Sequence, residues 1–312
     1  MENSVELSIV SPMFNEEGNV KRFYDEVSSV LNKLKLNYEL IFIDDGSTDK
    51  TFSLLKELNS KDKRVKVIRF RRNFGKAAAL SAGFKHAHGN IIITMDGDLQ
   101  DDPKDIKLLI DKINQGYDLV NGWKFNKHKG SMKKVSSLLF NKLTNMLIGI
   151  KLHDFNSPFK AYKSQVVKDI NLYGEMHRYI PVLADWKGYK ITEIKTKLKP
   201  RLAGKSKYGV GRILKGFLDL ITVKYLSSYS SRPLHLFGTV GILLTILGII
   251  TGIYLVIQWF QGYGIGSRPL LILSALLIMV GIQLGSIGLL GEMLVNNIAK
   301  HEKSYSIKEV LE

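Results

Sequence analysis

The sequence predicts an α/β protein with a mainly parallel sheet, followed by interfacial amphipathic helices and a two-helix transmembrane hairpin. Strand-like and helix-like runs alternate up to Asn121, which is typical of a parallel sheet covered on both faces. Two uninterrupted apolar stretches near the end of the chain are each long enough to cross a bilayer. Polar motifs follow the apolar runs of the first part, where the carboxyl ends of parallel strands form a ligand crevice.

The alternation is regular enough to place individual elements. Apolar runs predict four strands, at Glu6–Val10, Tyr38–Ile43, Arg64–Phe70 and Asn90–Met95. Apolar residues at helical spacing predict helices at Val20–Leu34, Thr51–Asn59, Lys76–Ala87 and Pro103–Gln115. Each predicted strand is followed by a predicted helix.

The two apolar stretches, Leu236–Phe260 and Leu270–Gly291, predict the hairpin. Arg268 is the only charged side chain between Arg232 and Glu292. Each stretch exceeds the roughly 20 residues that a helix needs to cross the hydrocarbon core. Buried helices of a soluble domain are the alternative, but soluble helices of this length carry a polar stripe.

Basic residues predict the orientation of this hairpin. Residues 195–232 carry ten lysines and arginines and one acid, whereas the link 261–269 carries one basic residue. By the positive-inside rule both termini lie in the cytoplasm, which places the first 230 residues on the cytoplasmic face of the plasma membrane. The start of the chain has no signal-peptide pattern. The net charge of +16 is therefore interpreted as a membrane-facing surface, with no nucleic acid as partner. The absence of cysteine excludes disulfides and cysteine-based zinc sites.

Four regions follow from these patterns. They are a soluble domain at 1–207, interfacial juxtamembrane helices at 208–235, transmembrane helices at about 236–260 and 270–295 within 236–298, and a cytoplasmic tail at 299–312. Residues 132–146 form a basic amphipathic pattern that fits either a membrane-surface helix or an ordinary surface helix. Gly281, Gly285 and Gly288 in the second span permit close helix packing and predict a homo-oligomer.

The most informative motif follows the fourth predicted strand. Asp96 and Asp98 flank Gly97, and Gln100 adds a neutral oxygen. Hard oxygen ligands favour Mg²⁺ or Mn²⁺, and such a cation could carry the diphosphate of a nucleotide-activated donor. Asp101 and Asp102 precede Pro103 and are predicted to cap the next helix rather than bind the metal.

Two further motifs end neighbouring strands. Asp44 and Asp45 precede a Gly-Ser turn, and the Asp44 carboxylate could accept a hydrogen bond from the imide N–H of uracil. Alone, this pattern also fits a turn with a helix cap. After the third strand, residues 71–76 bring three cations and a glycine to the same crevice, which suits a phosphate or ribose.

These motifs together resemble family-2 glycosyltransferases with the GT-A fold. The resemblance rests on Pro-x-Phe-Asn-Glu from Pro12, Asp-Asp-Gly-Ser from Asp44, Arg-Asn-Phe-Gly-Lys from Arg72 and Asp-x-Asp-x-Gln from Asp96. The string Arg-x-x-Gly-Lys-Ser-Lys-Tyr from Arg201, followed by a two-span hairpin, is similar to the polyprenyl-phosphate branch, which includes dolichyl-phosphate mannose synthases and bactoprenol glucosyltransferases. The resemblance implies an enzyme that transfers one sugar from a nucleotide to a polyprenyl phosphate in the membrane.

The resemblance also implies roles for individual residues. The nucleotide-sugar site would comprise Pro12, Phe14, Glu16, Asp44, Asp45, Gly75, Lys76, Asp96 and Gly97. Asp96, Asp98 and Gln100 would hold Mg²⁺ or Mn²⁺, and Asp98 and Asp154 would be catalytic. The acceptor and donor phosphates would meet Lys124, Lys127, Arg201, Ser206 and Lys207. Relatives often have arginine where this chain has Lys124 and Lys127, and lysine lacks bidentate phosphate geometry.

The chemistry expected from the acceptor needs little base catalysis. A phosphate monoester has a second pKa of about 6, so it is largely a dianion near neutral pH. Asp154 is then either a positioning residue or base, or a structural residue. In-line attack predicts inversion, and UDP-glucose is the first choice of donor, ahead of UDP-N-acetylglucosamine, while GDP-mannose serves close cousins. A processive polysaccharide synthase is disfavoured because the Gln-x-x-Arg-Trp string is missing, and a silent scaffold because Asp96, Asp98 and Gln100 are intact.

Overall fold

The computed structural model describes residues 5–124, 152–170, 172, 176–197, 199, 233–266 and 268–299. These residues fall into two compact units, one within Met1–Val223 and one within Lys224–Glu312. The first unit is an α/β domain and the second is a helical hairpin.

The α/β unit alternates strands and helices as the sequence predicts. Its elements are β1 (Leu7–Met13), α1 (Val20–Leu34), β2 (Tyr38–Asp44), α2 (Thr51–Lys61), β3 (Val65–Arg69), α3 (Lys76–His86), β4 (Ile91–Thr94), α4 (Ile106–Asn114), β5 (Leu119–Lys124), β6 (Lys160–Lys163), α5 (Ser164–Asp169), α6 (Ile180–Trp186) and β7 (Ile191–Thr196). Short 3₁₀ turns at Pro103–Asp105 and Met176–Arg178 precede α4 and α6.

The strands described here form one seven-stranded sheet in the order β3-β2-β1-β4-β6-β5-β7. β6 runs antiparallel to β4 and β5, whereas the other pairs are parallel. The prediction of a mainly parallel α/β sheet is confirmed. Strands β5 to β7 were not predicted, since β6 is only four residues long and β5 and β7 are rich in polar residues.

The chain order reverses beside β1, which pairs with β2 on one side and β4 on the other. Ligands of open α/β sheets bind at this kind of reversal, beyond the carboxyl ends of the strands. The first helix fixes one face of this region by burying Val20, Phe23, Val27 and Leu31 completely. Their spacing of three or four residues is the helical period from which this helix was predicted.

The second unit consists of α7 (Pro233–Phe260) and α8 (Pro269–Ala299). Both helices begin at proline, the residue that suits a first helical turn because it has no N–H to leave unpaired. Within spans of 28 and 26 residues, windows of 18 residues reach mean hydropathies of 2.6 and 2.4, so both helices are long and apolar enough to span a membrane. Most of their large apolar side chains are exposed, unlike those of a buried core helix.

The glycines of the hairpin pack its own two helices against each other. A Cβ atom at Gly281 would meet Thr245 Oγ1 and, at 2.6 Å, the carbonyl oxygen of Gly241. The Ser274 hydroxyl donates to the Gly248 carbonyl at 2.8 Å across the same interface. A Cβ at Gly288 would likewise approach Leu234. Intramolecular packing therefore accounts for Gly281 and Gly288, and these residues no longer argue for an oligomer.

At the amino ends of the strands, a buried carboxylate ties several segments together. The carboxylate of Glu39, on β2, accepts from the Ser8 hydroxyl at 2.6 Å and from the His88 N–H at 2.7 Å. The Lys66 ammonium lies 2.5 Å from its second oxygen. Burial opposes ionisation, but these three partners outweigh burial and lower the pKa of Glu39. One side chain thus joins β1, β2, β3 and the turn before β4.

We expect Glu39→Gln to lower the free energy of unfolding by about 1–3 kcal/mol, because it weakens a network of buried hydrogen bonds. Since folding lowers the pKa of Glu39 below its ordinary 4.5, its stabilisation is present above that value and disappears as the pH falls further. Thermal unfolding of the full chain in detergent at pH 7 and pH 3.5 measures both effects. Glu57→Gln, at an exposed site on α2, is the control. An equal loss in both variants would contradict the prediction.

We expect Gly281→Ala to destabilise the hairpin by about 1–3 kcal/mol relative to Gly285→Ala, because overpacking forces the helices apart. A Cβ at Gly281 meets backbone atoms of α7, whereas a Cβ at Gly285 meets nothing within 4 Å. Both substitutions raise helix propensity alike, so their difference reports packing. Helix loss on heating in detergent, followed by circular dichroism, provides the measurement. Equal melting of the two variants would show that the helices pack in another way.

Candidate active site

The loops after β1 and β2 are held together by reciprocal hydrogen bonds. The Asn15 side chain accepts from the Thr48 N–H at 2.9 Å, and the Asn15 N–H donates to the Ser47 hydroxyl at 3.0 Å. The Glu16 N–H donates to the Thr51 hydroxyl at 2.8 Å. Asn15 adopts a left-handed conformation with φ of 51°, which asparagine tolerates better than most residues. Glu16, predicted in the nucleotide site, therefore lies in a rigid double loop with Pro12 and Phe14 just before it.

The loop after β3 is tied to the same structure by Asp45. Its two carboxylate oxygens accept from the N–H groups of Phe74 and Gly75 at 2.7 and 3.0 Å. Burial raises the pKa of Asp45, and the neighbouring Asp44 raises it further, against these two hydrogen bonds. Gly46 has a φ of 71°, and a Cβ there would lie 2.5 Å from the Arg72 carbonyl carbon, so only glycine fits. Asp45 thus orients the Gly75–Lys76 segment.

A cavity of about 490 Å³ opens between the loops after β2 and β3. It is lined by Gly46, Ser47, Thr48, Arg69, Phe70 and Arg71. Asp44 is fully buried, and its carboxylate accepts from the Ser47 N–H at 3.0 Å and lies 3.5 Å from Arg69 Nε. This arrangement does not support the prediction that Asp44 contacts uracil directly. Asp44 instead braces the wall of a cavity that could hold a nucleoside.

The residues after β4 bring the predicted metal ligands to the reversal point of the sheet. The Lys76 ammonium donates to Asp96 Oδ1 at 2.5 Å, and both side chains are partly exposed. Burial opposes ionisation of Asp96, but the ammonium groups of Lys76 and Lys124 outweigh burial and lower the pKa of this carboxyl group. Asp96 is therefore an anion beside a lysine that the sequence analysis assigns to the nucleotide-sugar site.

Each neighbour of Asp96 is fixed in a different way. Gly97 lies so close to the Met13 thioether that a Cβ would require the Met13 side chain to shift. Asp98 is 8% exposed and accepts from the Gln100 N–H at 3.2 Å. Leu99 has a φ of 58° and packs into the core. The Gln100 carbonyl accepts from the Lys199 N–H at 2.9 Å, which joins the residues after β7 to this loop.

Asp101 and Lys124 form an ion pair that the sequence analysis missed. Lys124 Nζ lies 2.8 Å from Asp101 Oδ1, and the two side chains are only 4% and 1% exposed. Burial opposes the charge of Lys124, but Asp101, Asp96 and Asp98 outweigh it and raise the pKa of the ammonium group. The prediction of a helix cap is confirmed for Asp102, which accepts from the Lys104 N–H, and is wrong for Asp101.

The acceptor role of Lys124 stays a prediction, and the structure shows this side chain in a buried pair. The Lys124 ammonium group is 4% exposed and lies 2.8 Å from Asp101 Oδ1. Lys124 ends β5 with its side chain in the interior, next to the loop that follows β4. A lysine ammonium group suits this buried pair, since its point charge needs no planar partner.

Asp154 lies in a segment that is fastened to the ends of β4 and β5. Asn121 Nδ2 donates to the Asp154 carbonyl at 2.8 Å, and the Thr94 hydroxyl donates to the Pro158 carbonyl at 2.7 Å. The buried Lys160 ammonium donates to the carbonyls of Phe155 and Ser157. The Asp154 carboxylate is 6% exposed and accepts from the Asn156 N–H at 3.2 Å. The segment places Asp154 at the edge of the sheet where β4 ends and the loop with Asp96 and Asp98 begins.

His177 is a second residue that the sequence analysis missed. Its Nδ1 is buried and has no hydrogen-bond partner among the described residues. Burial lowers the pKa of His177 to about 3, helped by the cations Lys76, Arg178 and Lys160 and opposed by Asp96. The imidazole is therefore neutral beside the Asp96–Lys76 pair. A lone histidine after an irregular stretch carries no sequence signal, because only the folded chain brings it to this edge.

The donor set fits a hard divalent cation. Asp96, Asp98 and Gln100 offer carboxylate and amide oxygens, the ligands that Mg²⁺ and Mn²⁺ accept. The described residues contain no preformed group of three histidine, cysteine or acidic side chains for a metal. Mg²⁺ is usually held by one or two carboxylates together with substrate phosphates, which is consistent with this smaller set.

Several predicted residues lie outside the described part of the chain. They are Lys127, Arg201, Ser206 and Lys207, together with the predicted amphipathic pattern at 132–146 and residues 208–232 of the juxtamembrane helices predicted at 208–235. Their roles stay predictions.

Comparison with known proteins agrees with this geometry. Residues 8–170 match glycosyl transferase family 2, and residues 232–296 match the GtrB C-terminal hairpin. Dodecaprenyl-phosphate galacturonate synthase of Rhizobium johnstonii is 35% identical over 99% of this chain and 94% of its own length. Undecaprenyl-phosphate 4-deoxy-4-formamido-L-arabinose transferase of Shewanella sediminis is 31% identical over 98% of this chain and 92% of its own.

A solved structure shares the fold of the α/β unit. Glucosyl-3-phosphoglycerate synthase of Mycobacterium tuberculosis, in complex with Mn²⁺ and UDP-glucose, superposes with a TM-score of 0.56 at 19% identity. The match covers 70% of this chain and 79% of that one, and it confirms the GT-A fold. With relatives aligned along nearly its whole length, the chain belongs to glycosyl transferase family 2, among the members that carry a GtrB C-terminal hairpin.

Proposed function

We propose that this protein is a membrane-bound, metal-dependent glycosyltransferase that transfers glucose from UDP-glucose to undecaprenyl phosphate with inversion. The carboxylates of Asp96 and Asp98, at the reversal point of the sheet and beside Lys76, carry the proposal. Two relatives that align along almost the whole chain are named for sugar transfer on dodecaprenyl and undecaprenyl phosphate. The product would be a lipid-linked sugar donor for cell-surface glycan modification.

The donor would lie along the crevice between the loops after β1, β2 and β3. The nucleoside would occupy the cavity beside Ser47 and Arg69, whose wall is braced by Asp44. The diphosphate would then extend toward Asp96, Asp98 and Gln100, which would hold Mg²⁺ or Mn²⁺. When bound, this cation would neutralise the diphosphate and favour its departure as a leaving group. Lys76 already lies at Asp96 and could bring a second positive charge to the same phosphates.

The acceptor would approach from the side of Asp154. Because its phosphate is largely a dianion near neutral pH, it can attack the sugar without losing a proton to the protein. The main tasks of this chain are then to orient the phosphate and to reduce the repulsion between two anions. The Asp154 segment, fixed by Asn121 and Thr94, suits an orienting role. Lys127, Arg201, Ser206 and Lys207 are proposed to supply the cations.

The hairpin would hold the enzyme at its lipid substrate. Its exposed apolar side chains suit contact with acyl chains, and the basic residues before it suit an anionic cytoplasmic leaflet. The positive-inside rule supports a position of the α/β unit on the cytoplasmic face.

The identity of the sugar has a second candidate. The relative named for galacturonate transfer is 35% identical over almost the whole chain, which favours a uronic acid as the alternative to glucose. The test incubates membranes containing the full chain with labelled UDP-glucose, UDP-galacturonate, UDP-N-acetylglucosamine and GDP-mannose, and identifies the labelled lipid. Membranes without the protein are the control. A long labelled polysaccharide instead of a single-sugar lipid would favour a processive synthase.

We expect Asp98→Asn to lower kcat by about 10²–10³-fold, because it removes a charged ligand from the site that stabilises the leaving diphosphate. The protein should stay folded and in the membrane fraction. Asp111→Asn, on the exposed face of α4 beside Lys107, is the matched control and should retain full activity. Wild-type activity that survives a chelator would contradict metal dependence.

We expect the sugar–phosphate linkage of the lipid product to be β when the donor is α-linked. A single in-line displacement inverts the configuration at the anomeric carbon. Because the acceptor phosphate is largely a dianion, it can attack the sugar directly and no covalent sugar–enzyme intermediate is required. The one-bond C–H coupling at the anomeric carbon, measured by NMR on the purified lipid, distinguishes the two linkages. An α-linked product would overturn the inverting mechanism.

A further inference from the structure

The Asp101–Lys124 pair is the most deeply buried pair of opposite charges in the described part of the chain. Its two side chains are 1% and 4% exposed, and Asp101 Oδ2 makes no hydrogen bond among these residues. Buried ion pairs of this kind often add little to stability, because desolvation of both charges offsets their attraction. A pair of apolar residues could fill the same space. The pair therefore calls for a reason other than packing.

The position of the pair indicates that reason. Asp101 follows Gln100 in the loop that carries the proposed metal ligands, and Lys124 is the last residue of β5. The ion pair thus connects this loop to the sheet at a distance of 2.8 Å. The Lys124 ammonium also interacts electrostatically with Asp96 and Asp98, so one buried cation serves three carboxylates.

The other contacts of the loop act in different directions. Asp96 is held by Lys76 of α3, Gly97 packs on Met13 of β1, and the Gln100 carbonyl is held by the Lys199 N–H. Among the described residues, only the Lys124 ammonium pairs with the loop from β5. Without it, the loop would keep its contacts to β1 and α3 and lose its anchor on the opposite side.

We propose that the buried Asp101–Lys124 pair is a positioning element that fixes the Asp96–Asp98 carboxylates for the divalent cation without touching cation or substrate. The inference rests on the proposed metal-dependent function, and it deepens that function by assigning Asp101 and reassigning Lys124. Second-sphere groups that orient metal ligands typically change metal affinity by about 10–100-fold when they are removed.

The test compares Asp101→Asn with Asp118→Asn in the full chain in detergent. Asp118 precedes β5 and pairs with Lys163 at 2.8 Å, so it offers an ion pair of equal length at the opposite end of the same strand. Mn²⁺ affinity is measured by electron paramagnetic resonance with and without UDP, which requires no turnover. We expect Asp101→Asn to weaken Mn²⁺ binding about 10–100-fold and Asp118→Asn to leave it unchanged.

A double substitution separates positioning from stability. In Asp101→Leu/Lys124→Met both charges are removed together, so no unpaired charge stays buried and the melting temperature should be close to that of the wild type. Weak Mn²⁺ binding and a reduced kcat in this folded variant would support positioning. Lys124→Arg keeps the positive charge, so its Mn²⁺ affinity should stay within about tenfold of that of the wild type.

Three results would overturn the inference. They are wild-type Mn²⁺ affinity in Asp101→Asn, wild-type affinity and kcat in the folded double variant, and a wild-type protein that binds no Mn²⁺. If the double variant does not fold, Asp101→Asn, which is isosteric with the native residue, decides alone. A wild-type protein that binds Mn²⁺ and UDP but labels no lipid would refute the proposed function, and the Mn²⁺ affinities would still test the inference.

Discussion

The site depends on how negative charge is held at the carboxyl edge of a buried sheet. Asp44 ends β2 and Asp45 follows it, whereas Asp96, Asp98 and Asp101 follow β4, and each has a different partner. Asp44 lies near Arg69 and accepts from the Ser47 N–H, and Asp45 accepts from two backbone N–H groups. Asp96 pairs with Lys76, Asp98 accepts from the Gln100 N–H, and Asp101 pairs with Lys124. Unpaired, such carboxylates would lose their charge or unfold the loop, since desolvation penalises an isolated anion by several kcal/mol.

These carboxylates differ in how exposed they are. The side chains of Asp44, Asp45 and Asp101 are almost completely buried, and their contacts fix the conformation of the loops. Asp96 and Lys76 are partly exposed, so both remain accessible to a cation or a phosphate. Asp98, the other proposed metal ligand, is only 8% exposed, so burial alone does not separate the metal ligands from the carboxylates that shape loops.

The same principle operates away from the site. Glu39 contacts three segments at the amino ends of the strands, the edge of the sheet opposite to the loops of the site. In the hairpin, where few charges are available, glycine and serine let the helix backbones approach and the Ser274 hydroxyl bonds to a carbonyl across the interface. Polar contacts in the α/β unit and small residues in the hairpin each favour a single well-defined packing.

The sequence by itself determined the elements whose signal is local. Helical spacing predicted α1, and apolar runs predicted β1 to β4. Two long apolar stretches predicted the hairpin, and the first stretch begins at Leu236, three residues after the first residue of α7, Pro233. The spacing of Asp96, Asp98 and Gln100 also indicated a metal, because those ligands are close in the chain. Only the tertiary structure decided that Asp44 is enclosed, that Asp101 and Lys124 pair across 23 positions, and that His177 lies beside Asp96 and Lys76. These outcomes depend on burial and on contacts between distant segments, and neither property is written in the local pattern of residues.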